Sequence, residues 1–324
     1  MRIGVSLGSL LSVEQIMECT NTLSKYGGPD SIWIPETWGM DCCSIMSAVS
    51  QIAKKPKIGS SVMNIYSRSP ALVAMSAATL DVLSGGRMII GLGTSSSAIV
   101  EDWHGIKFSQ PVARMREYVE VIRLVLSEKK CNYDGNFFHL RNFALLISKP
   151  RKDIPIYLAA INKKMVDLTW EIADGTIFYL RPLAELKNII PKMQNKRKID
   201  VSCQLITSIS NDADESILRA KKTLAFYVSV GKIYRDFLAQ NGFEKETNAI
   251  FEEYEKSGLK ENHVYVSDNM LSELVICGTP DDGRKQLLRF VNAGIDLPIL
   301  QFNPSGDVQD SFNLFVSTFQ EGMN

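Results

Sequence analysis

What most constrains this chain is a repeated switch between short apolar runs and amphipathic segments of helical period. The runs RIGVSL (2–7), SIWIP (31–35), KIGSSVMN (57–64), RMIIGL (87–92), PIYLAA (155–160), GTIFYL (175–180), DVSCQLITSI (200–209) and LPILQF (297–302) each have the length and composition of a buried strand. Between them the spacing predicts helices over 12–26, 41–53, 70–83, 111–127, 164–173, 183–192, 280–293 and about 308–320. Ser12 and Gln15 stand at capping-box spacing at the start of the first helix, and Gly85-Gly86 ends the third. Strands alternating with helices imply parallel pairing through right-handed crossovers, and eight such units close a (β/α)8 TIM barrel; an open doubly wound sheet is the competing arrangement. The 324 residues are read as one barrel domain, 1–324, with insertions near 131–150 and 210–270. The first insertion carries an Asp134-Gly135 hairpin signal, and the second is mostly helical and rich in Glu and Lys.

Charge and cysteine usage narrow the class. Thirty-six Lys and Arg balance thirty-six Asp and Glu, which argues against a dedicated nucleic-acid binder. No run reaches the roughly 18 apolar residues of a membrane span, so a soluble, cytoplasmic protein is expected. The six cysteines include no CxxC, and the three histidines fall in no metal-ligand pattern, so reduced thiols and no metal are expected.

In a parallel barrel the chemistry sits on the loops that follow the strands. Those loops hold Glu36, Trp38, Glu101, Trp103 and His104, together with the segment GLGTSSS. That segment could meet a phosphate or a ring carbonyl through backbone N–H groups and hydroxyls, or its glycines could simply let a strand end pack closely. It is not a dinucleotide fingerprint, since the position where G-x-G-x-x-G requires its third glycine is Ser96. Trp33, mid-strand, reads as core, whereas Trp38 and Trp103 read as pocket aromatics. No G-x-S-x-G elbow supports a serine nucleophile.

At these same loops the chain resembles a known family. IPETWGMD, the stretch YSRSPALVAMSAATLDVLSGGRMIIGLGTSSSAIVEDWHG and EIADGTIF closely resemble the bacterial luciferase-like superfamily, and within it the coenzyme F420-dependent reductases related to methylenetetrahydromethanopterin reductase. The resemblance implies a (β/α)8 barrel with insertions and a hydride carried by a deazaflavin, with protein residues orienting the ring and excluding water. It places Glu36 and Thr37 near the ring, with Thr37 standing where the family commonly has His. It implies a non-prolyl cis peptide at Ser61-Val62, with Asn64 as a polar contact. Gly93, Thr94, Ser95 and Ser96 are further cofactor contacts. Ala160, Ile161, Asn162 and Lys163 align with the phosphate loop, where Asn162 replaces a common glycine and is expected to tolerate a left-handed conformation. Glu36 is the candidate proton relay, and Trp38, Trp103, Glu101 and Arg181 are the expected substrate pocket. The resemblance further implies a small-molecule substrate and a homodimer through the helices at 41–53 and 70–83. The alternative within the superfamily is an FMN-dependent monooxygenase using molecular oxygen, and a catalytically silent flavin-binding protein is the reading from another class.

Overall fold

A computed structural model describes residues 1–8, 10–147 and 151–323 of the chain. Its elements follow the chain as β1 (Gly4–Ser6), α1 (Val13–Lys25), β2 (Ser31–Ile34), α2 (Cys42–Ile52), β3 (Lys57–Ser60), β4 (Met63–Asn64), α3 (Pro70–Ser84), β5 (Met88–Gly93) and α4 (Pro111–Ser127). Then come β6 (Cys131–Asp134), β7 (His139–Phe143), β8 (Ile156–Ala159), α5 (Lys163–Ile172), β9 (Gly175–Tyr179), α6 (Leu183–Gln194) and β10 (Asp200–Ile209). The chain closes with α7 (Ala213–Val230), α8 (Lys232–Leu238), α9 (Glu244–Ser257), α10 (Asp268–Leu274), β11 (Val275–Gly278), α11 (Pro280–Val291), β12 (Leu297–Phe302) and α12 (Val308–Met323).

Strands β1, β2, β3, β5, β8, β9, β10 and β12 pair in that order, all parallel, and β12 returns to β1 to close the ring. These are the eight apolar runs of the sequence, and the open-sheet alternative falls because no ring strand is left with a free edge. The short β4 extends the β3 run along β5. The sequence reading left β11 unassigned: it pairs in parallel with the far half of β10, outside the ring, where Ile206 faces Val275. Four residues among helices give too short an apolar run to stand out. The first excursion is the predicted hairpin of β6 and β7, closed by the Gly135 N–H on the Phe138 carbonyl at 3.0 Å; residues 148–150 of that excursion lie outside the described residues. The second is built of α7, α8 and α9.

Local chemistry explains the helix ends. Ser12 and Gln15 form the expected capping box, Ser69 caps α3 ahead of Pro70, and Gly85 ends α3 in the left-handed region at φ 72°. All six cysteines are unpaired. Among the described residues no cluster of His, Cys, Asp or Glu is placed to hold a metal, and no helix is long and apolar enough to cross a membrane.

The period of two along each strand stacks the barrel interior in layers. Trp33, Ile89, Tyr157, Ile177 and Ile299 form an apolar plug, in which Trp33 is fully buried and donates from Nε1 to Ser31 Oγ at 2.8 Å. Gly59 makes room for it, since a Cβ there would lie 2.5 Å from the indole. We expect Gly59→Ala to lower stability by about 1–3 kcal/mol through overpacking, read as a reduced midpoint in urea unfolding at unchanged slope. Two residues further along the strands the residues turn small or polar, at Ser6, Ser61, Gly91, Ala159, Tyr179, Gln204 and Gln301. The plug is the floor of the barrel mouth, and this second layer is its wall.

Candidate active site

The loops after β2, β4 and β5 enclose a cavity of about 430 Å³ at the C-terminal end of the barrel. Of the residues singled out in the sequence, Glu36, Thr37, Trp38, Asn64, Ser95 and His104 line it, joined by Arg68 and Asp41.

Leading into Asn64 is the turn between β3 and β4, where the Ser61–Val62 peptide is cis, as the resemblance implied. The Ser60 hydroxyl accepts from Gly91 N and donates to Gly91 O, both at 2.9 Å, locking the turn to β5. Gly91 and Gly93 are there for close approach. A Cβ on Gly91 would lie 1.8 Å from the Ser60 carbonyl, and one on Gly93 would lie 2.5 Å from Val62 Cγ2. Of the two readings of GLGTSSS, close packing therefore accounts for its glycines. Ser95 beyond them adopts φ 58° and faces the cavity, while Ser96 Oγ accepts from Ile99 N at 3.4 Å. Asn64 is 8% exposed, and its Oδ1 accepts from Tyr66 N at 3.0 Å. Asn64 Nδ2 and Ser61 Oγ are buried with no partner.

The opposite wall is charged. Arg68 bridges Glu36 and Asp41, and Tyr118 donates to the Arg68 carbonyl at 3.0 Å. Glu36 also accepts from Cys42 N at 3.3 Å, and Asp41 caps α2 by accepting from Ser44 N at 2.7 Å. Burial disfavours the Asp41 charge, but the Ser44 hydrogen bonds and the Arg68 guanidinium outweigh it and hold this carboxyl below its ordinary value. Glu36 is thus engaged by a guanidinium and a helix N-terminus. Nothing in the local sequence announced Arg68, which lies 32 positions beyond its partner.

Trp38 and Trp103 stay 57% and 55% exposed and meet edge to face at 5.2 Å; Phe226 on α7 stands 6.3 Å from Trp38. An indole pair held open at a cavity rim offers apolar area for a ligand. Glu101 turns back on its own loop, with Oε1 accepting from Phe108 N at 2.9 Å.

Two expectations are corrected. Arg181 is not a pocket residue: it is 4% exposed, pairs with Glu185, donates to the carbonyls of Ile161 at 2.5 Å and Ala160 at 3.4 Å, and lies 4.6 Å from both the Phe178 and Phe237 rings. A buried cation must find such partners, and these carbonyls are within its reach. Asn162 is not left-handed: it sits at φ −81°, ψ 159° as the N-cap of α5, with Oδ1 accepting from Met165 N at 3.0 Å. The capping preference of Asn decides this, where the expectation weighed only its backbone tolerance. Ala160 is buried, and Lys163 is exposed and paired with Asp167 at 2.6 Å, so what the 160–163 segment offers an anion is the N–H end of α5.

The fold and site are thus a closed (β/α)8 barrel with a cis-peptide turn after its third strand and a polar, aromatic-rimmed mouth. The chain belongs to the luciferase-like monooxygenase family, whose model matches residues 3–297. Relatives include a putative coenzyme F420-dependent oxidoreductase of Mycobacterium tuberculosis, 28% identical over 87% of this chain and 89% of the relative. A 5,10-methylenetetrahydromethanopterin reductase of Archaeoglobus fulgidus is 28% identical over 84% and 85%. Among solved structures, the coenzyme F420-dependent tetrahydromethanopterin reductase of Methanopyrus kandleri superposes with a TM-score of 0.87 at 23% identity, covering 100% of this chain and 99% of that one.

Proposed function

We propose that this protein is a coenzyme F420-dependent oxidoreductase that moves a hydride between deazaflavin C5 and a small organic substrate. A one-carbon unit carried on tetrahydromethanopterin is a candidate substrate by analogy with the reductases it resembles. The observation that carries the reading is the pair of unpartnered buried groups at the cis turn, Ser61 Oγ and Asn64 Nδ2, with Asn64 on the cavity lining. A deazaflavin pyrimidine edge presents two ring carbonyls, which are the acceptors that an amide N–H and a hydroxyl seek, flanking an N–H that a hydroxyl oxygen can accept. The bound ring supplies the hydride-carrying carbon. Val62 and the cis turn back the ring, Asn64 and Ser61 orient it, and Trp38 with Trp103 cover the open side and exclude water. The N–H groups opening α5 receive the cofactor phosphate, in a segment held by Arg181 and the Asn162 cap. Glu36, held by Arg68 on the cavity lining, remains the proposed proton relay.

The test is a side-by-side titration of F420 and FMN by absorbance and fluorescence. F420 is expected to bind at least about tenfold more tightly, a difference of about 1.4 kcal/mol. Comparable FMN affinity with reductant-supported oxygen consumption would transfer the protein to the monooxygenase reading.

A homodimer is part of the same proposal. The α3 helix leaves Leu72, Met75, Val82 and Leu83 exposed, whereas the exposed positions of α2 are the small or polar Ser44, Ala48 and Gln51.

A further inference from the structure

The β6–β7 hairpin adds no strand to the barrel ring, yet its tip is fixed to α4 by a buried carboxylate. Glu117, 8% exposed, accepts from Asn136 N at 2.8 Å, Phe137 N at 2.9 Å and Phe138 N at 3.3 Å. Gly135 admits it, since a Cβ there would lie 2.3 Å from Glu117 Oε2. Burial disfavours this charge, but the three N–H groups outweigh it and hold the carboxyl below its ordinary value. The docked tip sets two rings against α4. Phe138 meets Tyr118 edge to face at 5.5 Å, and Phe137 and Phe138 each stand 5.2 Å from the Arg114 guanidinium. Arg114 also lies 4.7 Å from the Tyr66 ring, and its Nε is buried without a partner, so aromatic faces hold this cation in place. Tyr66 and Tyr118 in turn reach the cavity lining. Tyr66 N donates to Asn64 Oδ1 and Tyr118 to the Arg68 carbonyl, both at 3.0 Å. Arg114, Glu117 and Tyr118 stand at i, i+3 and i+4, so one turn of α4 separates the hairpin tip from both lining residues.

We propose that Glu117 is a positioning residue for the cofactor site: by docking the hairpin tip it holds Arg114 against Tyr66, and so sets the Asn64 amide. The inference rests on the proposed cofactor role of Asn64 and extends that site to a hairpin outside the barrel. Without the carboxylate the three tip N–H groups lose their acceptor, and Phe137 and Phe138 are free to leave Arg114. The guanidinium then turns to water, because a partly buried cation stripped of its neighbours does not stay buried. Tyr66 loses the group packed on its ring, and the N–H that orients Asn64 moves with it. Coupling of this kind is reciprocal, so a bound cofactor tightens the hairpin tip by the factor through which the tip tightens the cofactor.

Amide hydrogen exchange of the ligand-free protein, followed by F420 titration, tests it. Glu117→Gln keeps the side-chain shape but sets an N–H donor against the tip amides. It is expected to speed exchange of the Tyr66 N–H at least about tenfold and to weaken F420 roughly three- to tenfold. In an Asn64→Ala background the same substitution should weaken F420 by less than about twofold, because its effect passes through Asn64; a merely structural loss would add in full. F420 should slow exchange of the Asn136, Phe137 and Phe138 N–H groups in the wild type by roughly three- to tenfold. Phe137→Ala should reproduce the Tyr66 and F420 effects in milder form, and it decides the matter if Glu117→Gln fails to fold. Tyr66 exchange unchanged in a folded variant, full additivity with Asn64→Ala, or tip amides indifferent to bound F420 overturns the inference. Failure of F420 to bind the wild type would sink the cofactor reading by itself, and Tyr66 exchange in the ligand-free variants would still judge the positioning.

Discussion

Replacing Asn64 by Asp is expected to weaken F420 binding by roughly 30- to 1000-fold, about 2–4 kcal/mol, while the protein stays folded. The asymmetry of this side chain is the reason. Its Oδ1 already accepts from Tyr66 N, and Asp keeps that bond. Its Nδ2 is the buried group with no partner, and Asp puts a carboxylate oxygen where a donor is proposed to meet the ring. The loss then combines a missing hydrogen bond with a negative charge set against ring acceptors in a site with little water. Asn64→Ala should fall between wild type and Asp in affinity, but with a lower thermal midpoint, since the Tyr66 N–H loses its acceptor. Fluorescence titration alongside thermal unfolding separates the two effects. Asp binding F420 as tightly as wild type would remove Asn64 from the cofactor site.

The second large effect concerns assembly. Wild-type protein at micromolar concentration is expected to be a dimer by light scattering, and Met75→Glu with Val82→Glu to be a monomer with its barrel intact. Both residues lie on the exposed stripe of α3, at 44% and 51% exposure, so neither substitution disturbs the core of the single chain. Within an apolar interface each carboxylate is stripped of water without a partner. The pair should weaken association by at least about 100-fold, some 3 kcal/mol. Wild type running as a monomer, or the double variant remaining a dimer, would show that α3 does not form the contact.

The ring strands, the helix caps and the burial of Trp33 were legible residue by residue, because each depends on neighbours within a few positions. Ser12 finds Gln15 three residues on, and Pro70 and Gly85 bracket one helix. The candidate site was legible only in part. Its loops could be located, because a parallel barrel brings the ends of all its strands to one face, and the motifs on them carried the family. The roles of individual residues were a different matter. Arg181 follows an apolar strand on a predicted mouth loop, and only the folded chain brings it under the 160–161 carbonyls and between two rings. Asn162 could have been left-handed or a cap, and the helix that begins at Lys163 decided for the cap.

By itself, then, the sequence determined the alternation, the number of ring strands, the family and the loops to inspect, all properties of local period and short motifs. Tertiary structure decided which side chains share a wall. Arg68 reaches Glu36 across 32 positions, Gln204 reaches Gln301 across 97, and Arg2 reaches Asp200 across 198. Closure of the ring fixes those neighbours through strand register, and no pattern within one strand encodes the register of the strand beside it.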